Sequence, residues 1–436
     1  MKIAVVGINY YPEMTGISVY TTQMCEYLAA KGHDVRVVTA FPYYPFGYDF
    51  SNWYKKNSLN RFSGFFSEKR NGVRIFRSNL YKPAKPSTIK RIAHELSFII
   101  STWIRLIFDF ERCDIVICIS PPLPLGLAVR LFANIKKAQL ILHVQDMQPD
   151  AAIGLGMIRG RTLIALLKLM EKTVYNAADR ITTICETMRQ KIIRKGVDSN
   201  KVGMLCNWAD ADNITPASRA NSFSARHHLD GKFVVLHAGN IGEKQDMRVI
   251  MEAAEAMKKD GSVMFLLVGR GARRRYVEEY VKDHCLNNVL LLDVQPEEFL
   301  KEMFVSCDVA LITQRKGAED CVMPSKIFGP ACAGRPVIIS GDENSEIERL
   351  AREHDFGITI PAKDKAGLIA GICRLRDDRV LAERMGRNGR SFMVNHNHIN
   401  IVLGRFEEGL RSMCGKIRIP ADISCLSRKE SGCTER

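Results

Sequence analysis

The sequence predicts an α/β protein built of two doubly wound, Rossmann-like domains, and three observations carry that expectation. Short, uniformly apolar runs rich in β-formers alternate with longer segments of helical period; this series starts twice; and a polar stretch separates the two series. The first series is KIAVVGI, DVRVVTA, VRIFRS, DIVICIS, AQLILHVQ and RITTIC. After Trp208 comes ADADNITPASRANSFSARHHLDGK, with few large apolar residues, and the rhythm restarts at Phe233 with KFVVLHAG, VMFLLVG, NVLLLDV, VALITQ and PVIIS. The reading is a first domain over 1–208, rejoined by a C-terminal helix at about 396–416, a second over 209–395, and a flexible polar tail over 417–436. Loops at the carboxyl ends of the two sets of strands then face each other across a cleft suited to a nucleotide-containing ligand.

Taken in chain order, the loops are where chemistry concentrates. In NYYPEMTGISVY, Thr15 and Gly16 open a helix whose N-terminal amides can hold a phosphate or a sugar oxygen. The segment KPAKPSTIKRIAHELSFIISTWIRLIFDFERC has Lys85, Lys90 and Arg91 ahead of a helix that carries Phe98, Trp103, Arg105 and Phe108. It is too interrupted by charge to span a bilayer, and fits either a helix lying on an anionic membrane surface or one covering the sheet. In HVQDMQPD, His143, Gln145 and Asp146 extend from a strand's carboxyl end, where ligand groups belong in this architecture.

The second domain opens with LHAGNIGEKQDM, in which Gly239 and Gly242 flank Asn240 and Lys244 starts the next helix, so loop amides and an ammonium can meet a diphosphate together. Gly269-Arg270-Gly271 ends the next strand. LITQRKGAEDCVMPSK then brings Arg315, Lys316 and Lys326 close in sequence, enough positive charge to hold a leaving diphosphate without a metal.

Bulk properties exclude other classes. A chain of 436 residues, 46% hydrophobic and 25% charged, is globular. A net charge of +15 favours anionic partners, yet no zinc-finger spacing, RNP-like strand or long basic helix is present, so nucleic acid is not expected. Thirteen scattered cysteines without a C-x-x-C pair argue for a reducing cytoplasm and against a zinc site. The start leaves no room for a secretory h-region. Neither VVGINYYPEMTG nor VVTAFPYYP carries the G-x-G-x-x-G or the following acidic residue of a nicotinamide fold.

Together, YYPEMTGISVYTTQMCEYLAAKGHDVRVVT, HVQDMQPD, LCNWAD, HAGNIGEKQDM and VMPSKIFGPACAGRPVI resemble the GT-B retaining glycosyltransferases of family four, in particular the colanic acid biosynthesis branch. The resemblance implies a nucleotide-sugar donor, GDP- or UDP-linked, held by the second domain. It implies a saccharide acceptor on the first domain, in the simplest case polyprenyl-diphosphate-linked, and transfer of a hexosyl or fucosyl group with retention. No cofactor and no metal are implied, and the location is cytoplasmic, peripheral at the inner face of the membrane. Carried over residue by residue, it assigns catalysis to His143, Lys244 and Lys326. Donor binding falls to Gly16, Asn240, Gly242, Gly269, Arg270, Arg315, Lys316, Pro324 and Ser325, and the acceptor side to Thr15 and Asp146. The family's paired glutamates, eight positions apart, fall on Cys321 and Gly329; the resemblance then implies that Ser325, Lys326 and helix N-terminal amides hold the donor where the family uses carboxylates, with no residue standing in for the second glutamate at the ribose. A non-catalytic nucleotide-sugar-binding scaffold and a GT-B-like sugar-nucleotide epimerase share these features.

Overall fold

The computed structural model describes residues 1–14, 16–44, 48–57, 66–83, 88–154, 156, 158, 160–314, 325–341 and 345–415. The first sheet contains β1 (Lys2–Val6), β2 (Asp34–Ala40), β3 (Phe66–Arg70), β4 (Val73–Ser78), β5 (Ile115–Ser120), β6 (Gln139–Val144), β7 (Arg180–Thr183) and β8 (Val202–Met204). Their order is β3-β4-β2-β1-β5-β6-β7-β8, with every pair parallel except the β3–β4 hairpin. In the second sheet β9 (Phe233–Ala238), β10 (Val263–Val268), β11 (Val289–Leu292), β12 (Val309–Thr313), β13 (Val337–Gly341) and β14 (Gly357–Pro361) run parallel in the order β11-β10-β9-β12-β13-β14.

Both sheets are doubly wound because both faces of each strand are apolar and must be covered. In the first, helices Thr88–Asp109, Leu125–Lys136 and Arg161–Ala177 bury Phe98, Phe132 and Val174 on one face, while helices Ile17–Ala30 and Ile399–Met413 bury Met24, Leu28 and Leu403 on the other. The C-terminal helix therefore returns to the first sheet, and His33 Nε2 meets Glu407 Oε1 on it at 3.0 Å. The two crossings between domains lie side by side: Ala209 N donates to Asn397 O at 2.8 Å and Asn397 Nδ2 to Asn207 O at 3.1 Å.

Three strands depart from the pattern that identified the others. β3 alternates half-buried and exposed residues as an antiparallel edge, β8 has three residues, and β14 ends in Pro361 at the opposite edge. Helix Thr88–Asp109 also sorts its residues differently from the membrane expectation. Phe98 is fully buried, Trp103 is half-buried against the core, and Arg105 is buried, donating to Asp109 Oδ2 at 2.6 Å and to the carbonyl of Phe66 at 2.8 Å. Of the residues named for membrane contact, Lys90, Arg91 and Phe108 face solvent, and Lys85 lies outside the described residues. The tail 417–436 lies outside them too.

Candidate active site between the two sheets

The strand order of the second sheet reverses between β9 and β12, and the crevice outside the carboxyl ends of those strands is where this architecture places ligands. The loop after β9, residues 239–246, is shaped by a loop-on-loop contact. Gly239 (φ 124°), Gly269 (φ 148°) and Gly271 (φ 155°) adopt backbone that side chains rarely tolerate. A Cβ on Gly269 would lie 1.8 Å from the Gly239 carbonyl oxygen, and Ile241 N donates to Arg270 O at 2.9 Å. Gly269 therefore acts by letting two loops touch, which supports the 239–246 loop from behind. A Cβ on Gly242 would lie 2.7 Å from the side-chain nitrogen of Asn240, which would have to shift.

Lys326 enters this loop from the next ligand-facing segment. Ser325–Ile327 forms a single 3₁₀ turn ahead of helix Phe328–Cys332, and from it the Lys326 chain lies across Gly239. Its Nζ donates to the Asn240 carbonyl at 2.9 Å and to His237 Nε2 at 3.1 Å. Burial brings the pKa of Lys326 down to about 7. His237 is fully buried on β9, and burial first, then the neighbouring ammonium, pushes its pKa well below the ordinary range. A neutral imidazole thus accepts from the ammonium.

Lys244 does not start the next helix, which begins at Met247, but lies in the same loop and is paired across the cleft: its Nζ donates to Asp146 Oδ2 at 2.7 Å. The other oxygen, Asp146 Oδ1, is buried with no hydrogen-bond partner among the described residues. His143 sits just inside, on β6. Its Nδ1 meets Thr182 Oγ1 at 2.9 Å and its Nε2 meets Gln145 Nε2 at 2.8 Å, and burial lowers its pKa to about 4. Both ring nitrogens are occupied within the first domain, so contact with a ligand hydroxyl requires Gln145 to turn away.

Other cross-cleft contacts come from residues the sequence did not single out. Thr187 donates from N and Oγ1 to Glu346 Oε2 at 2.9 and 3.1 Å. The Tyr20 ring meets Phe328 edge-on at 6.5 Å, and Ser325 is a hydrogen-bond partner of its hydroxyl. Glu13, in the first loop, accepts from the backbone N–H of Tyr43 and Tyr44 at 2.9 Å each; burial raises its pKa to about 7. Tyr20 and Glu13 stood within the segment already marked as functional, but only tertiary contact distinguishes them from their neighbours.

Several expected residues are placed elsewhere or not described. Arg270 is partly exposed and bonds Asp293 Oδ2 at 2.8 Å. Gly16 begins helix Ile17–Ala30 with φ 57° and open space around it. Gly329 is a packing position: a Cβ there would lie 2.3 Å from the Phe304 ring, so a carboxylate cannot stand there unless that ring moves. Thr15, Arg315, Lys316, Cys321 and Pro324 lie outside the described residues. Among the described residues no group of His, Cys, Asp and Glu has the arrangement of a metal site.

Comparison with known proteins agrees in both halves. Residues 15–208 match the family described as "Glycosyl transferase 4-like domain" and residues 232–378 the family "Glycosyl transferases group 1". A protein named as the colanic acid biosynthesis glycosyl transferase WcaI of Escherichia coli K12 is 33% identical over 383 residues, covering 85% of this chain and 91% of the relative. Among solved structures, sucrose-phosphate synthase from Thermosynechococcus elongatus superposes with a TM-score of 0.71 at 17% identity, covering 95% of this chain and 99% of that one. HepE of Anabaena, solved with UDP and glucose, superposes at 0.69 with 12% identity, covering 94% of this chain and all of its own.

Proposed function

This chain belongs to the GT-B glycosyltransferases, and from that premise we propose that it moves a sugar from a GDP- or UDP-sugar to a saccharide acceptor in polysaccharide biosynthesis, with retention of anomeric configuration and without a metal. The observation that carries the reading is a glycine loop at the switch point of the second sheet that contains one lysine and is crossed by another. Lys326 binds the Asn240 carbonyl from one side, and Lys244 reaches across from the other. A diphosphate lying against that loop meets two lysine side chains in a partly dry setting, where charge developing on the leaving group is best stabilised. That the solved neighbour HepE holds UDP supports a nucleotide donor.

Retention needs no protein nucleophile in this scheme. The leaving diphosphate accepts the acceptor's proton while Lys244 and Lys326 balance its charge, and domain closure about the paired crossings excludes water. Lys244 exchanges Asp146 for the donor phosphate, which leaves Asp146 turned toward the acceptor. His143 orients the donor sugar once Gln145 has released its Nε2. The acceptor is lipid-linked, of the polyprenyl-diphosphate kind, and the protein works at the inner membrane surface.

Incubation with sugar nucleotides and a soluble acceptor mimic tests this. Release of nucleoside diphosphate with an α-linked product from an α-linked donor, unchanged by EDTA, is the expected result; product of inverted configuration or EDTA-sensitive turnover refutes the mechanism. A non-catalytic binder is favoured by one observation, the Phe304 ring filling the space beside Gly329. Donor binding without any turnover would select it, and interconversion of two sugar nucleotides would select the epimerase.

A further inference from the structure

Among the described residues, fifteen large apolar side chains are exposed, and eleven of them lie on three adjacent helices covering one face of the first sheet. On Thr88–Asp109 the exposed set includes Ile92, Leu96, Ile100, Ile104 and Phe108, a stripe at four-residue spacing on the side opposite the buried Phe98, Thr102 and Leu106. Leu131 and Ile135 continue it on Leu125–Lys136. Leu163, Leu166 and Leu169 extend it on Arg161–Ala177. Singly exposed apolar residues need no explanation, but an aligned field spanning three packed helices does.

Charge identifies what covers it. The three helices carry only three acidic residues, Glu95, Asp109 and Glu171, and none is fully exposed. Asp109 is bonded by Arg105 and Glu171 by Lys195 at 2.6 Å each. Lys90, Arg91, Arg161, Lys168 and Lys172 are exposed around the apolar field. An aliphatic field with a basic margin and no exposed acid is complementary to an anionic bilayer: side chains enter the acyl boundary while lysine and arginine meet phosphates. No helix of the described residues is long and apolar enough to cross a membrane, so the contact is interfacial.

We propose that this three-helix face of the first domain docks flat on an anionic lipid surface. Each helix starts near the carboxyl end of the strand before it, so Lys90, Arg91 and Arg161 stand at the edge of the face nearest the cleft. The docked protein then opens its acceptor side along the bilayer. This deepens the lipid-linked acceptor reading and rests on it for purpose, whereas the surface itself rests on exposure and charge.

Co-sedimentation of the full chain with vesicles of phosphatidylglycerol and phosphatidylcholine, and of phosphatidylcholine alone, tests the proposal. Wild type should partition onto the anionic vesicles at low salt at least about tenfold better than onto neutral ones. The double variant Ile100→Glu/Leu166→Glu alters two solvent-facing residues, and should cut that partition by about thirtyfold while leaving the unfolding midpoint and sugar-nucleotide binding unchanged. Absence of vesicle binding by wild type, or equal binding by the variant, overturns the proposal. So does a wild-type dimer in sedimentation that the variant dissolves, because the face would then cover a second copy. Vesicle binding without sugar-nucleotide binding would instead overturn the transfer reading and leave this surface standing.

Discussion

The two domains follow the same strand–helix rhythm and finish with opposite surfaces. In the second, exposed helix faces are laced with i,i+4 pairs, Arg248–Glu252 at 2.6 Å, Arg274–Glu278 at 2.9 Å and Arg349–Glu353 at 2.7 Å, and Val380 is the one exposed large apolar side chain among its described residues. In the first, three outer helices present aliphatic side chains to solvent. Covering a parallel sheet does not require that, since the second domain manages without it. The interiors of the cleft differ as well. The first domain contributes a buried histidine, His143, whose pKa burial lowers to about 4, and the second contributes Lys326, held across a glycine turn with its own pKa lowered by burial to about 7. On the reading proposed above, one domain meets a surface and an acceptor and the other a diphosphate.

The sharpest way to break the second domain's side of this contrast is Gly269→Ala. With φ 148° and a Cβ forced to 1.8 Å from Gly239 O, it should cost about 4 kcal/mol or more in urea unfolding, whereas Gly409→Ala, with open space, should cost nothing measurable. Next in size, Lys326→Ala and Lys244→Ala should each lower kcat at saturating donor by roughly tenfold to a hundredfold, because each removes a charge-assisted contact to the leaving group. Wild-type turnover in Lys244→Ala would remove that residue from the mechanism.

A pH titration sharpens the same point. The Lys326 pKa of about 7 applies to the unliganded protein, and a bound diphosphate favours its charged form. Donor binding above pH 7 should therefore take up a proton, seen as a dependence of calorimetric heat on buffer ionisation enthalpy. Affinity should fall as pH rises from about 7, by no more than about tenfold per unit, and flatten below it. The smallest effect belongs to Asp146→Asn, which releases Lys244 from a partly exposed pair and should tighten donor binding by no more than about fivefold.

The fold was legible because its strands are apolar on both faces, a pattern that survives without tertiary knowledge; β3, β8 and β14 escaped because edges are short, mixed or proline-ended. The site was legible as loops and not as contacts. Glycine spacing pointed to residues 239–246, but nothing in GNIGEKQ tells that Gly269 props it from behind or that Lys326 spans it to a buried His237. Asp146 and Lys244 were each marked, and their pairing, 98 positions apart, emerged only from the fold. The Pro-Ser-Lys turn shows the same limit. Its lysine was marked for phosphate, while the reason Gly329 follows is a phenylalanine ring on another helix. On helix Thr88–Asp109 the period marked an amphipathic helix; which side was core depended on neighbours that periodicity does not show.

The central claim, that the 239–246 loop with Lys244 and Lys326 is a sugar-nucleotide site, is tested most directly by isothermal titration calorimetry. The titrants are UDP- and GDP-sugars, with NAD as a control. Saturable binding of one sugar nucleotide at one site per chain, weakened by roughly tenfold or more in Lys326→Ala and absent with NAD, is the predicted result. Binding that both lysine variants leave unchanged, or no binding of any sugar nucleotide, would contradict it.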